Sequence, residues 1–290
     1  MKRLLFWFTA VGLGLSGNAQ SAFKAGDFSA SLGAQAFSAY GNGNMYEVTQ
    51  MFKNSALFPA DLGTYSESSF SSFNGSGIAS LATSFYWKKK SQESHTPMRA
   101  LRLGLSFFGS FATHHSFHKE TETAIDTLYS TGGQAYPVDS FNFRSVNVNS
   151  ISQNLVIDAS LIFRTNSSKR WTLYSGFGVQ AGLTMNSKAE LSNIETTNIR
   201  IREGGNFQGE SSTFNYRSEV QSIPNSFVGA LYIPLGIDWQ AGSKTEFFKQ
   251  LHFFAEMRPT LLINKGLFSG MDMNPGLSGQ FGVRIQFLNP

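Results

Sequence analysis

The sequence has 290 residues, a formal net charge of +4, 14% charged residues, 14% aromatics and no cysteine. Ordinary proteins carry roughly 25% charged residues, so the deficit argues against a standard soluble domain, and a mean hydropathy of −0.15 argues against a bundle of spanning helices. The missing cysteine excludes disulfide scaffolds, thiolate metal sites and a lipid-bearing lipoprotein cysteine.

Ser, Asn, Gly and Thr take the place of charge, beside 28 Phe and 28 Gly. That mixture suits a sheet with one apolar face, one uncharged polar face and long polar connections. Apart from Lys88-Lys89-Lys90 and Lys169-Arg170 the basic residues are scattered, which gives no nucleic-acid footprint.

The chain opens with Lys2 and Arg3, an apolar run over 4–15, and Gly17-Asn18-Ala19, small residues where a signal peptidase reads. A spanning helix needs about 20 apolar residues, so the run is read as a signal peptide over 1–19, with the mature domain at 20–290.

Eight runs of strict alternation follow, the signature of transmembrane strands. The first sets Phe28, Ala30, Leu32, Ala34 and Ala36 against Ser29, Ser31, Gly33 and Gln35. The second carries Ala79, Leu81, Phe85 and Trp87, the third Leu101, Leu103, Leu105, Phe107 and Phe111, and the fourth Leu155, Ile157, Ala159, Leu161 and Phe163. The fifth runs from Trp171 through Phe177 to Leu183, and the sixth from Phe227 through Ile233 and Leu235 to Trp239. The seventh carries Leu251, Phe253, Ala255, Met257, Leu261 and Ile263, the last Leu277, Phe281, Val283, Ile285 and Phe287.

An even count suits a single-chain barrel. The fold expected is therefore all-β: an antiparallel up-and-down transmembrane β-barrel of eight strands. Its connections alternate, long at 41–75, 115–150, 186–225 and 264–275, short at 88–98, 165–170 and 241–249. Long extracellular loops with short periplasmic turns place both mature termini in the periplasm. Pieces such as Asn198-Ile199-Arg200-Ile201-Arg202 and Phe214-Asn215-Tyr216-Arg217 alternate within the long loops. They extend strands above the membrane, or, as the alternative, add a hairpin that makes ten strands. Trp87, Trp171 and Trp239 each end a strand beside a short turn, as an interfacial indole girdle requires.

At the last strand a motif is reached. Gln280-Phe281-Gly282-Val283-Arg284-Ile285-Gln286-Phe287 resembles the C-terminal assembly signal of outer-membrane barrels, carried by Gln280, Gly282, Ile285 and Phe287. Many such proteins end on the aromatic, whereas this chain continues with Leu288-Asn289-Pro290. The mature chain resembles the OmpA/OmpX-like small barrels found in Bacteroidota. The resemblance implies a Gram-negative outer membrane, outer-membrane lipid around the barrel, and the barrel-assembly machinery as a partner.

An eight-stranded barrel is just wide enough for side chains to fill it. Parity places Arg102, Asp158, Arg164, Asp238, Glu256, Arg258 and Arg284 inside, where charges must pair. Glu256, Arg258 and Arg284 lie on adjacent strands and are expected to pair as a structural plug, so no general pore is expected.

Three histidines cluster where the third strand leaves the membrane. His114 and His118 on one strand face are about 13 Å apart, too far to share an ion. His114-His115-Ser116 has the His-x-Ser spacing of outer-membrane lipid A deacylases, a serine hydrolase family on an eight-stranded barrel. The following Phe117-His118-Lys119 departs from that pattern, which leaves His114, Ser116 and His118 as the alternative site. Met271-Asp272-Met273-Asn274, Gly41-Asn42-Gly43-Asn44 and Gly204-Gly205 read as turns. No cofactor is implied. The function expected is non-enzymatic: a surface barrel whose loops bind a surface or envelope protein partner or serve envelope structure. The alternatives are a lipid-modifying hydrolase and an accessory subunit of a secretion or uptake complex.

Overall fold

The computed structural model describes residues 23–40, 45–68, 71–87, 98–165, 170–203, 206–265 and 271–287. The expected signal peptide at 1–19, Lys88-Lys89-Lys90, Lys169, and the expected turns Gly41-Asn42-Gly43-Asn44 and Gly204-Gly205 lie outside the described residues.

Strand β1 (Phe23–Tyr40) is followed by helix α1 (Met45–Met51), a 3₁₀ turn (Leu62–Thr64) and a short β2 (Ser66–Ser68). Then come β3 (Ser71–Trp87), β4 (Met98–Tyr129), β5 (Ala135–Arg164) and β6 (Trp171–Glu203). The chain continues through β7 (Asn206–Ser222), β8 (Phe227–Tyr232), β9 (Leu235–Gln240) and helix α2 (Glu246–Gln250), and ends with β10 (Leu251–Lys265) and β11 (Met271–Gln286).

Strands β7, β8 and β9 lie in succession along one flank of β6, pairing with Lys188 to Glu203, Gly178 to Leu183 and Trp171 to Ser175 respectively. They are one stave in three pieces. One break falls at Ile233-Pro234, where proline has no N–H to give a ladder. The staves are thus β1, β3, β4, β5, β6, β7–β9, β10 and β11, all antiparallel, and β11 pairs back onto β1 from Asp27↔Gln286 to Phe37↔Gly276. The sheet is a closed eight-stranded barrel. The ten-strand alternative fails because β7 is the upper part of the sixth stave, not a new one.

The expected long loops at 115–150 and 186–225 are mostly strand. β4, β5 and β6 have 32, 30 and 33 residues and pair along almost their full length. The alternation that marks the barrel continues there, so the backbone satisfies itself in ladders that rise beyond it. Met271-Asp272-Met273-Asn274 is likewise strand, because the β10–β11 hairpin pairs as far as Lys265↔Met271. The short connection after β9 holds α2, capped by the Thr245 side chain accepting from the Phe248 N–H.

Register shifts mark where the staves leave the barrel: between Thr113 and His115 on β4, and between Ile151 and Gln153 opposite Asn186, which has φ 51°. They change which parity faces inward. On β6 the buried positions are Thr184 below and Ser187, Ala189 and Leu191 above. Below the shifts the lumen is polar. Above it sits an apolar layer of Ile78, Phe108, Val156, Val228, Ala230 and Leu262. Higher still, α1 and the 3₁₀ turn cover the inner face of the rising sheet through Val48, Phe52, Leu62, Tyr65, Phe117, Val146, Val148, Ala189 and Leu191.

Glycines make room for the lumen aromatics. Tyr174 faces Gly236, Tyr232 faces Gly178 and Phe254 faces Gly282 across neighbouring strands, and each ring occupies the space a Cβ would take. Gly178→Ala is therefore expected to push Tyr232 off its place and to destabilise the barrel by about 1–3 kcal/mol. Urea unfolding of the lipid- or detergent-embedded protein measures this, and an unchanged midpoint would remove the role given to that glycine.

Candidate functional site

The lumen holds two clusters of buried charge. In the one deeper in the barrel, Arg102 grips Glu256 with two bonds, Nη1 to Oε2 at 2.6 Å and Nη2 to Oε1 at 3.0 Å, while its Nε donates to Ser160 at 3.0 Å. Glu256 also accepts from Arg258 Nε, and Arg258 Nη1 reaches Asp158 Oδ2 at 3.2 Å. Asp158 accepts in addition from Tyr232 Oη at 2.5 Å and Gln180 Nε2 at 2.8 Å.

The second cluster lies toward the short-turn end. Tyr86 Oη donates to Asp27 Oδ2 at 2.6 Å and accepts from Arg164 Nη1 at 2.7 Å. Arg284 lies 3.7 Å from Asp27 Oδ2 and pairs with Asp238, whose other oxygen meets His252 Nδ1 at 2.6 Å. The ring of Tyr174 lies between the Arg164 and Arg284 guanidiniums, at 5.6 and 5.5 Å. Four arginines thus face four carboxylates, all buried. These side chains point into the lumen, with the apolar layer and the cap above them.

All seven lumen residues named from parity lie in these clusters, though not in the pairing expected. Glu256 and Arg258 meet, but Arg284 turns to Asp238 and Asp27 instead. Asp27 was missed, although it continues the inward parity of Ser29 and Ser31. Tyr86, Tyr174, Tyr232, Gln180 and His252 were also missed as partners. Their parity was legible, and their pairing depends on which strand stands opposite.

The outside of the barrel is the chemical opposite. Outward positions such as Leu32, Leu103, Ile157, Phe177, Leu231, Met257 and Phe281 carry no charge, and Leu32, Phe177 and Phe281 are 70%, 67% and 72% exposed. At the short-turn end Trp171 stacks on Trp239 at 5.3 Å, and Trp239 meets Phe253 at 6.0 Å and the Arg170 guanidinium at 5.8 Å. Trp87 ends β3 opposite Phe23. Of the terminal motif, Gln280 points inward and accepts from Ser31 Oγ at 2.8 Å, and Gly282 lies under Phe254. Ile285 and Phe287 point outward, and the Phe287 N–H donates to Gly26 O at 2.8 Å. Leu288-Asn289-Pro290 lies outside the described residues.

The histidine segment departs from the expected strand face. His114 is the bulged residue, so the even spacing of His114, Ser116 and His118 on one face is broken there, and the His114 side chain is outside the description. Ser116 and His118 stay in phase with Glu120 and Glu122. Strand geometry sets them in a row about 7 Å apart per step, not converging on one point. It is His115 that turns inward, buried under the cap with Nδ1 3.3 Å from Glu67 Oε1. No group of three or more metal-binding side chains occurs among the described residues.

The cap is tied down at several points. β2 pairs with β4 from Ser66↔His118 to Ser68↔Ser116, Lys119 Nζ donates to Asp61 at 2.6 Å, and Asn193 Nδ2 donates to Leu57 O at 2.7 Å. Beside them Arg144 pairs with Glu195 at 2.8 Å.

The class defined by this geometry is a closed antiparallel eight-stave barrel whose inner face carries four arginines against four carboxylates. No protein-family profile matches the chain, and no curated protein is similar to it. Among solved structures it is similar to Neisserial surface protein A, at 12% identity over 93% of this chain and 100% of that one, TM-score 0.34. It is also similar to Ail, the attachment invasion locus protein of Yersinia pestis, in complex with the heparin analogue sucrose octasulfate. That likeness has 11% identity over 91% of this chain and 100% of that one, TM-score 0.25. The barrel is defined by its own closed strand register.

Glu256→Ala leaves Arg102 and Arg258 buried without their shared acid and is expected to cost about 3–5 kcal/mol. The double change Arg102→Met with Glu256→Met is expected to cost less, which equilibrium unfolding in lipid or detergent compares directly. At the cap, burial holds the His115 imidazole below its ordinary value of 6.5, against the opposing pull of Glu67 and Glu47. A depressed folded value means that this contribution to cap docking is complete above pH 6.5 and is lost as the pH falls through the folded value. Protease cleavage within 45–68 is expected to accelerate on acidification, and His115→Asn to flatten that dependence.

Proposed function

We propose that this chain is a non-enzymatic outer-membrane barrel of a Gram-negative cell, of the small OmpA/OmpX-like kind, whose rising sheet serves binding at the cell surface. One observation carries the reading: a band of exposed apolar side chains, without a charge, encircles all eight staves. Soluble monomers rarely expose an apolar patch beyond a few hundred Å². On β11 the band runs from Leu277 to Ile285, roughly 27 Å of strand at about 3.4 Å per residue. At a tilt of about 40° this is roughly 21 Å tall, near the ~25 Å expected of such barrels.

Outer-membrane lipid is then the first partner. The stacked Trp171 and Trp239 rings at the short-turn end support an inner water boundary there; in this reading the termini and short turns are periplasmic. The outward Ile285 and Phe287 sit where the barrel-assembly machinery would read the final strand. The packed lumen supports anchorage over transport, and the rising β4–β7 sheet with its cap supports recognition.

Phe177→Arg at the middle of the band is expected to cost about 2–4 kcal/mol and to lower the fraction of protein recovered folded in the outer membrane. Heat-dependent electrophoretic mobility reads folding, and membrane fractionation reads location. A mature chain that stays folded and monomeric in water without detergent would sink the proposal.

A further inference from the structure

Charge is divided unevenly between the two ends of the barrel. The short-turn end carries Lys24, Arg99, Arg170 and Lys244, all exposed and none paired with a carboxylate among the described residues. Glu246, the exposed acid there, is held by Lys249 at 2.6 Å. At the opposite end the excess reverses. The β4–β5 hairpin carries Glu120, Glu122 and Asp126, while Lys119 at its base is bonded to Asp61. Aromatic side chains accompany two of the short-turn cations. The Gln240 N–H donates to Arg170 O at 3.0 Å, which ties Arg170 to the start of the segment 241–250. The Arg170 guanidinium lies over Trp239, and Trp171 and Phe253 flank that indole. Phe247 and Phe248 of α2 meet edge to face, 61% and 47% exposed, shortly after Lys244.

We propose that this rim docks on anionic phospholipid headgroups of the surrounding leaflet, with Arg170 and Lys244 binding their phosphates. The inference rests on the outer-membrane reading and adds the headgroup chemistry. An indole settles where hydrocarbon meets water, so a guanidinium stacked on it is held at headgroup depth. The planar fork of guanidinium donors matches a pair of phosphate oxygens. Phe247 and Phe248 expose apolar rings at the same end, where the leaflet covers them and water does not favour them. Lys24 and Arg99 extend the cationic rim around the barrel.

Charge selects the lipid. Cations near a membrane surface favour net-negative headgroups, each Lys or Arg adding about a fivefold preference. A zwitterionic headgroup brings a cation of its own beside the phosphate and gains less. The acidic hairpin at the far end repels the same lipids, so the two ends of the barrel fit unlike leaflets.

The test embeds the full mature chain in phosphatidylcholine bilayers that contain equal amounts of either acyl-brominated phosphatidylglycerol or acyl-brominated phosphatidylcholine. Bromine quenches nearby indoles, so Trp87, Trp171 and Trp239 report which lipid sits at the rim. The brominated phosphatidylglycerol is expected to bind about five- to twentyfold more tightly than its phosphatidylcholine counterpart. That preference is expected to shrink severalfold between about 0.05 and 1 M salt. Arg170→Gln with Lys244→Gln is expected to remove most of it, and Lys244→Gln alone, which keeps the Trp239 stack, to remove part. Lys188→Gln with Lys265→Gln, both exposed at the opposite end, is expected to leave it unchanged. Equal quenching by the two lipids, a preference untouched by the rim variants, or an equal loss in the far-end variant overturns the proposal. Heat-dependent mobility of the same samples reports the folded barrel separately. A folded barrel without headgroup preference counts against the rim alone, whereas quenching by neither lipid counts against the anchor as well.

Discussion

The structure depends on the closure of its hydrogen-bond ladder. A strand with an apolar outer face cannot leave its backbone groups to water, so each stave must be satisfied by its two neighbours. The pairing of β11 with β1 removes the last open edge within the barrel. Strict period two then follows, because every side chain points either to the outer band or into the lumen. A lumen this narrow demands neutrality, and Arg102, Arg164, Arg258 and Arg284 meet Asp27, Asp158, Asp238 and Glu256 there.

The same long strands build a second, different environment higher up. On β4 and β6 the register shifts change the inward parity just where the barrel ends. Arg102 and Ser106 face the lumen below, and Phe117 faces the cap above, on one continuous strand. A bulge thus lets one strand serve a polar interior and an apolar core in turn, with no connecting loop. Because the sheet is continuous, the cap is held by elements rooted in the barrel wall.

Much of this was legible because the signal is local. Phe28 to Ala36 and Leu277 to Phe287 announce two staves by alternation alone, and the band, the parity of the seven lumen charges and the outward Trp171 and Trp239 came with it. What escaped depends on contacts between distant segments. Arg284 meets Asp238 and Asp27 because of which staves face each other across the barrel, a fact no stretch of β11 contains. Asp27 stands beside a register shift at the start of its strand, between Ala25 and Asp27, outside the clean run. The rising sheet was read only in pieces such as Asn198 to Arg202 and Phe214 to Arg217, because its Ser-, Asn- and Thr-rich faces lose the apolar half of the alternation. Helix α1 is only seven residues long and is held by packing more than by propensity.

Arg284 belongs to the final stave, while its two acids belong to the first and the sixth. Before that stave docks, Asp27 has Arg164 3.4 Å away but Asp238 has no guanidinium, so the open trough holds one arginine for two carboxylates and must stay hydrated. The arriving strand therefore delivers the last wall and the missing counter-ion in one step. Drying of the interior is thereby tied to completion of the chain, and a prematurely ended polypeptide would remain a wet, acidic gutter with no means of sealing itself.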